Sequence, residues 1–200
     1  MITYKMNSFY KNEIIFYNEL FHYLLLHTMN LFILSLDPAK IAEYMMDKHI
    51  SKILLEAVQM LCTAKHVLDP EDKETNSRIY KLAHKNHPVS IWIRTSLANF
   101  MWALDLVEDI HLEWQYRYDH PGEYHKSYLM AQFLRTAIPN ASKFEKEGLT
   151  PFALAMPDIY KSNDPVESYR NYYMSQEKQR IATWDKCRQV PEWYIIKKNN

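Results

Sequence analysis

The sequence contains only two glycines, Gly122 and Gly148, in 200 residues. Walker loops, the GxGxxG turn of dinucleotide-binding folds and glycine-built helix-hairpin-helix motifs all need more glycine than this. Their backbones approach a phosphate closely or adopt a positive φ, which side chains other than glycine oppose. The scarcity of glycine therefore excludes nucleotide-phosphate chemistry of those kinds.

Cysteine is equally scarce. Cys62 and Cys187 lie far apart and form neither a CxxC pair nor a Cys/His finger spacing, which argues against a structural zinc site. Few, widely separated cysteines are typical of a reducing compartment. We therefore expect a cytoplasmic protein without a metal and without a cofactor.

An excess of charge of one sign and a long hydrophobic run are also missing. The 24 basic residues balance 24 acidic ones, whereas a protein that binds DNA through its phosphates usually has a basic excess. Any contact with nucleic acid would have to come from a local patch. The apolar run at residues 21–27 is too short to span a membrane and has no signal-peptide cleavage site, so we expect no membrane partner.

The composition, 48% apolar and 24% charged, is that of a globular protein. A capping residue followed by a proline predicts a helix start, and such starts occur at Asp37-Pro38, Asn86-His87-Pro88, Thr150-Pro151 and Asp164-Pro165. We predict an all-α protein, a single compact helical domain with at most one short N-terminal strand near Leu31–Leu34. Helices are expected at about residues 39–67, 77–83, 88–118, 123–137, 151–156 and 165–184.

The regular pattern begins only after Met29, which is a second candidate start. We therefore expect residues 1–28 to be an extension that the fold can do without. Residues 29–195 would form the helical domain, and residues 196–200 a basic tail.

A narrow polar stripe runs along the predicted helix 39–67. His49, Lys52, Glu56 and Gln59 are spaced 3, 4 and 3 residues apart, so they share one face at ~100° per residue. Apolar residues cover nearly half of the circumference, and Leu55 stands alone on the far side. The stripe could be the solvated face of a core helix. However, it mixes an imidazole, an amine, a carboxylate and an amide, whereas solvated faces more often repeat Lys and Glu.

A second stripe lies on the predicted helix 88–118. Trp92 and Asn99 share a mostly apolar face, which Glu113 and Arg117 continue toward the helix end. A buried amide must be hydrogen-bonded, and the Glu113–Arg117 spacing is the favourable i, i+4 order. These residues could bind a substrate or form an ordinary buried polar pair that fixes the helix register.

Two other patterns are weaker. Glu108 and His111 form an ExxH unit, but the second ExxH that di-iron bundles require is missing. Tyr169, Arg170 and Tyr172 favour core packing, although aromatic rings beside an arginine could instead stack on nucleic-acid bases.

Several of these motifs together resemble a known family. They are Asp47-Lys48-His49 with Lys52, Glu56 and Gln59; Asn86-His87-Pro88 with Trp92 and Arg94; and Glu113-Trp114 with Arg117. The family consists of small helical proteins from phages, large DNA viruses and bacteria, and some members are labelled pyrimidine-dimer DNA glycosylase. The resemblance covers about residues 29–194 and implies a viral or bacterial origin, so a host cytoplasm or a virion is the expected location.

The resemblance also implies a DNA-repair chemistry. The well-studied phage pyrimidine-dimer glycosylase attacks the sugar C1′ with its N-terminal amine and uses a glutamate beside it. This chain departs from that pattern. A chain that begins Met1-Ile2 or Met29-Asn30 keeps its initiator methionine, so a lysine would have to replace the amine. Lys52, one turn from Glu56, is the candidate.

We therefore expect an enzyme that processes a damaged or modified DNA base, of glycosylase or glycosylase/lyase type, with DNA or a nucleotide as partner. Glu56 would be the acid/base and Lys52 the amine or electrostatic partner. The expected substrate-binding residues are His49, Gln59, Asn86, His87, Trp92, Arg94, Asn99, Glu113 and Arg117.

Two alternatives remain open: a non-catalytic helical module that binds nucleic acid or a partner protein, and a small-molecule or nucleotide enzyme that uses the same pocket. An enzyme predicts that the two stripes converge in one concave pocket. A binding module predicts that they lie on open convex surface.

Overall fold

The computed structural model of the chain describes residues 29–198. In this part the prediction of an all-α domain is confirmed, because the backbone forms nine α-helices and no strand. The proposed extension, residues 1–28, and the last two residues of the proposed tail lie outside the described residues. The helices are α1 (Pro38–Tyr44), α2 (Asp47–Leu68), α3 (Lys73–Arg78), α4 (Pro88–Thr95), α5 (Leu97–Tyr118), α6 (Lys126–Arg135), α7 (Pro165–Tyr173), α8 (Gln176–Gln179) and α9 (Glu192–Lys198).

Helix α2 lies at the centre of the fold and packs against α4, α5 and α6, while α1 packs against α5. The predicted apolar arc of α2 is fully buried, and Leu55 is exposed, as expected for an amphipathic helix set into a core. Among the described helices, none is long and apolar enough to cross a membrane.

Two helices that we predicted as continuous are interrupted. The predicted helix 39–67 breaks at Met45 and Met46, which are both extended, with ψ of 142° and 149°. The predicted helix 88–118 breaks at Ser96, whose hydroxyl caps α5 by accepting a hydrogen bond from the Asn99 N–H. At both breaks, polar groups of other elements bond to the backbone groups at the helix ends. These backbone groups have no partner within their own helix.

Other predicted boundaries were also wrong. The helix expected at 151–156 is a segment without regular secondary structure, and some of its peptide groups are bonded by a side chain from elsewhere. Tyr169 donates to the Ala153 carbonyl (2.7 Å) and accepts from the Ala155 N–H (3.3 Å). The helix expected at 165–184 ends at Tyr173 and is followed by the single turn α8, and the helix expected at 77–83 lies earlier, at α3.

The segment of residues 29–34 is buried but does not form the predicted strand. Asn30 donates its amide Nδ2 to the Ala155 carbonyl at 2.7 Å, and Arg170 donates Nε to the Leu34 carbonyl at 3.0 Å. Phe32 has a φ of 49°, in the left-handed region that an aromatic side chain rarely adopts. Such a conformation costs on the order of 1–2 kcal/mol, so the surrounding contacts hold it in place.

Arg117 on α5 joins three parts of the fold. Its five N–H donors are all used, on the carboxylates of Glu113 (2.5 Å) and Asp47 (2.9 Å) and on the carbonyls of Ala42, Glu43 and Met45. The guanidinium therefore fixes the carboxyl-terminal end of α1 and the first turn of α2 against α5.

Replacing Arg117 with methionine should strongly destabilise the fold. The Asp47 carboxylate would stay buried without its counter-ion, and Glu113 would keep only Arg188, a loss of about 3–5 kcal/mol of unfolding free energy. Urea denaturation measures this change. Lys40→Met is the control, because the Lys40–Glu43 pair is exposed to solvent and should contribute little to stability. Equal losses in the two variants would show that Arg117 does not have this structural role.

Candidate functional site

The stripe on α2 is not a solvated face. His49 and Glu56 are 1% and 7% exposed, Gln59 is half-buried, and only Lys52 is half exposed at its side chain. The solvated-face alternative is therefore wrong for the imidazole and the carboxyl group, which must find their partners inside the protein.

Glu56 is a buried carboxyl group with few partners. Its Oε2 accepts a hydrogen bond from the Asn30 backbone N–H at 3.2 Å, and its Oε1 lies 3.6 Å from the Lys52 ammonium. Burial raises the pKa of Glu56 to about 6, against the opposing effects of Lys52, the Asn30 N–H and Lys178. The group can therefore take up and release a proton close to neutral pH.

The tautomer of His49 follows from its contact with Tyr173. The Tyr173 hydroxyl accepts from the Met46 N–H at 2.8 Å and lies 2.7 Å from His49 Nδ1. Since burial raises the pKa of the Tyr173 phenol, the phenol keeps its single proton and donates it to Nδ1. Burial also lowers the pKa of His49 to about 3, so the ring is neutral and carries its own proton on Nε2.

Lys178 completes this group and was missed by the sequence reasoning. It lies on α8, is 5% exposed, and its Nζ is 5.3 Å from the ring centre of Phe32 and 5.1 Å from that of Tyr172. Burial lowers the pKa of its ammonium, while Glu177 and Glu56 oppose that effect. The ring of His49 stacks on the same Phe32 at 4.9 Å, so Phe32 links Lys178 to the α2 stripe.

Glu113 and Arg117 belong to a different network. Both oxygens of Glu113 accept from Arg188, at 2.8 and 2.7 Å, and Oε1 also accepts from Arg117. Arg117 has no N–H left for a substrate. The substrate-binding role that we predicted for it is replaced by the alternative, a buried pair that fixes the helix register.

The remaining predicted residues support the loops around α4. Asn99, fully buried, is hydrogen-bonded as the sequence required: it donates to the Trp92 carbonyl and the Thr150 hydroxyl and accepts from the Thr150 N–H. Trp92 donates Nε1 to the Thr150 carbonyl at 3.3 Å, and Arg94 donates to the Lys85 carbonyl.

The last two predicted residues precede α4. Asn86 is exposed, and His87 caps the helix by accepting the Val89 N–H on Nδ1 at 3.2 Å. Burial lowers the pKa of His87 to about 4, so this ring is also neutral. The structure thus divides the predicted residues into three groups. Burial raises the pKa of the buried acid Glu56 in the α2 stripe, whereas the pKa of Glu113, despite its burial, is lowered by Arg188 and Arg117.

The remaining sequence patterns have structural explanations. Tyr169, Tyr172 and Tyr173 are fully buried, so they do not form an open surface for base stacking. In the ExxH unit, Glu108 pairs with Arg135 and His111 stacks on Tyr128 at 3.8 Å. Within the described residues, no group of three or more His, Cys, Asp or Glu could hold a metal ion.

No protein-family model, curated protein or solved structure matches the chain. The function must therefore be inferred from the site itself, and the resemblance drawn from the sequence motifs stays a prediction.

The raised pKa of Glu56 predicts how the stability depends on pH. Below pH ~4.5 the carboxyl is protonated in both the folded and the unfolded states and has no effect. As the pH rises through 4.5 to about 6, the unfolded state releases its proton first, so the folded state loses stability. Glu56→Gln removes this penalty and should add about 1–2 kcal/mol at pH 7 and nothing near pH 4.

Urea denaturation at the two pH values measures the difference, and the exposed loop residue Glu147, changed to Gln, is the control. A Glu56→Gln gain that is equal at pH 4 and pH 7 would contradict the raised pKa.

Proposed function

We propose that this protein is an enzyme that removes a damaged or modified base from DNA, with Glu56 as the general acid or base. The observation that carries the proposal is the buried Glu56 carboxyl group, whose pKa is raised to about 6. Lys52 lies 3.6 Å from it, and Lys178 also stabilises its charged form. The motif resemblance to proteins labelled pyrimidine-dimer DNA glycosylase supports the choice of substrate.

The chemistry of base removal fits this group. The C1′–N bond of the nucleotide breaks, the base leaves with the bonding electrons and a proton, and a nucleophile bonds to C1′. Glu56 can deliver the proton to the base or take one from an attacking water, steps that are typically worth 10²–10⁴-fold in rate. Lys52 is half exposed and lacks the apolar surroundings that activate an amine, so we assign it the electrostatic role at the carboxylate.

A nucleotide enzyme that uses the same group is the second candidate. The balance of 24 basic and 24 acidic residues favours it, because a small substrate needs no extended basic surface. The two candidates share Glu56 and differ in whether the substrate is a nucleotide or a DNA strand.

Damaged and modified DNA duplexes, incubated with the protein and analysed for strand breaks, test the proposal. We expect breaks only after alkali, because a water nucleophile leaves an intact abasic strand. Glu56→Gln should lower the rate by about 10²-fold or more, since glutamine keeps the shape but cannot transfer the proton. The exposed Glu147→Gln variant should retain full activity.

The outcomes separate the alternatives. Breaks without alkali would show a lyase step with an amine nucleophile. Release of a free base from mononucleotides alone would favour the nucleotide enzyme. Full activity of a folded Glu56→Gln variant would exclude Glu56 as the acid/base.

A further inference from the structure

We propose that His49, Lys52 and Lys178 form a binding subsite for a phosphate group. The inference depends on the proposed function only in taking the phosphate to be that of a nucleotide or a DNA strand. It identifies the part of the substrate that the site holds, and it gives a role to His49, which base removal itself does not use.

His49 presents a buried donor without an acceptor. The Tyr173 hydroxyl contacts no other acceptor among the described residues, so we assign its proton to the bond with His49 Nδ1, which places the imidazole N–H on Nε2. Among the residues that the structure describes, none accepts a hydrogen bond from this nitrogen, although His49 is 1% exposed. Leaving such a donor unpaired costs about 1–3 kcal/mol, which an oxygen of a bound ligand would recover.

Two cationic side chains, Lys178 and Lys52, accompany this donor. Lys178 has its Nζ beside the Phe32 ring that also stacks on His49, and Lys52 lies one helical turn from His49 on α2. Within the part of the chain that the structure describes, Lys178 Nζ contacts one carboxylate, that of Glu177 at 3.4 Å, so most of its three N–H donors are open to another acceptor. Both lysines act electrostatically on His49. A neutral N–H donor near two ammonium groups suits an oxyanion, which accepts several charge-assisted hydrogen bonds.

The surroundings of the subsite include a strained residue. Phe32, with its φ of 49°, contacts both the imidazole and the Lys178 ammonium, and strained residues of this kind concentrate at functional sites. Lys52 is half exposed and marks the side from which a ligand can enter. The phosphate is thus held by side chains, as required in a chain too poor in glycine for a backbone phosphate loop.

The charges around Glu56 link this subsite to the chemistry. Lys52 and Lys178 both favour the charged form of Glu56, and Lys178 also pairs with Glu177. A bound anion beside Glu56 favours its protonated form, because like charges repel. Binding of the substrate phosphate would therefore increase the fraction of Glu56 that is protonated and can deliver its proton to the leaving base.

Inorganic phosphate is the first probe, titrated at constant ionic strength with sodium chloride as the reference. We expect phosphate to raise the melting temperature and to shift the His49 Nε2–H signal in long-range ¹H–¹⁵N NMR spectra. Lys52→Gln should weaken the affinity about tenfold, the loss expected for one charge-assisted hydrogen bond. Lys48→Gln is the matched control, an exposed lysine on the same helix.

Glu56→Gln provides an opposite test, because removal of the carboxylate should tighten phosphate binding severalfold while it abolishes base removal. Lys178→Gln should weaken binding at least as much as Lys52→Gln, and Lys52→Gln keeps the proposal testable if the buried variant does not fold.

A thymidine monophosphate and a short oligonucleotide serve as further ligands. Tighter binding of the first or of the second assigns the phosphate to a free nucleotide or to a DNA strand.

The proposal is overturned if phosphate acts no differently from chloride and leaves the His49 signal unmoved. It is also overturned if acetate binds equally well, or if Lys48→Gln weakens binding as much as Lys52→Gln. Phosphate binding without any base removal would retain the subsite and reject the proposed function, so the two failures are distinguishable.

Discussion

The buried ion pairs of Arg117 are the constraint on which the rest of the structure depends. The guanidinium joins the carbonyl end of α1 to Asp47, the first residue of α2, and so fixes both where α2 begins and how it is rotated. The side chains of α2 are then directed by helical geometry alone. His49 and Glu56 face inward because the register of α2 is set at its first residue, at the junction with α1.

The features that depend on interactions between residues close in sequence were predicted correctly. The apolar arc of α2, the exposed Leu55 and the hydrogen-bonded Asn99 all follow from helical periodicity or from the cost of an unpaired amide. The break after α1 was not predictable, because methionine is a good helix former. Partners distant in sequence cause it: Arg117 binds the Met45 carbonyl and Tyr173 binds the Met46 N–H.

The candidate site shows the same division. Glu56 and His49 could be found from their spacing on one helix, whereas Lys178 could not, because its burial depends on rings contributed by Phe32 and Tyr172. The donor to Glu56 is a backbone N–H at Asn30, which has no signature in the sequence. The substrate-binding role predicted for Arg117 was wrong because the sequence does not show which acceptors an arginine binds. An arginine whose donors are all bonded within the fold has the same sequence pattern as one that binds a substrate.

The elements that carry the site differ greatly in their own stability. Glu56 lies in the middle of a 22-residue helix, but Lys178 lies on a helix of four residues and Asn30 on a segment without regular structure. Short elements open and close at much lower free energy than the core. The protein can therefore remain folded while its site is dismantled, and assembly of the site becomes an equilibrium of its own. Any ligand that bridges α2 and α8 would shift that equilibrium, so the affinity for the ligand reports how often the site is complete.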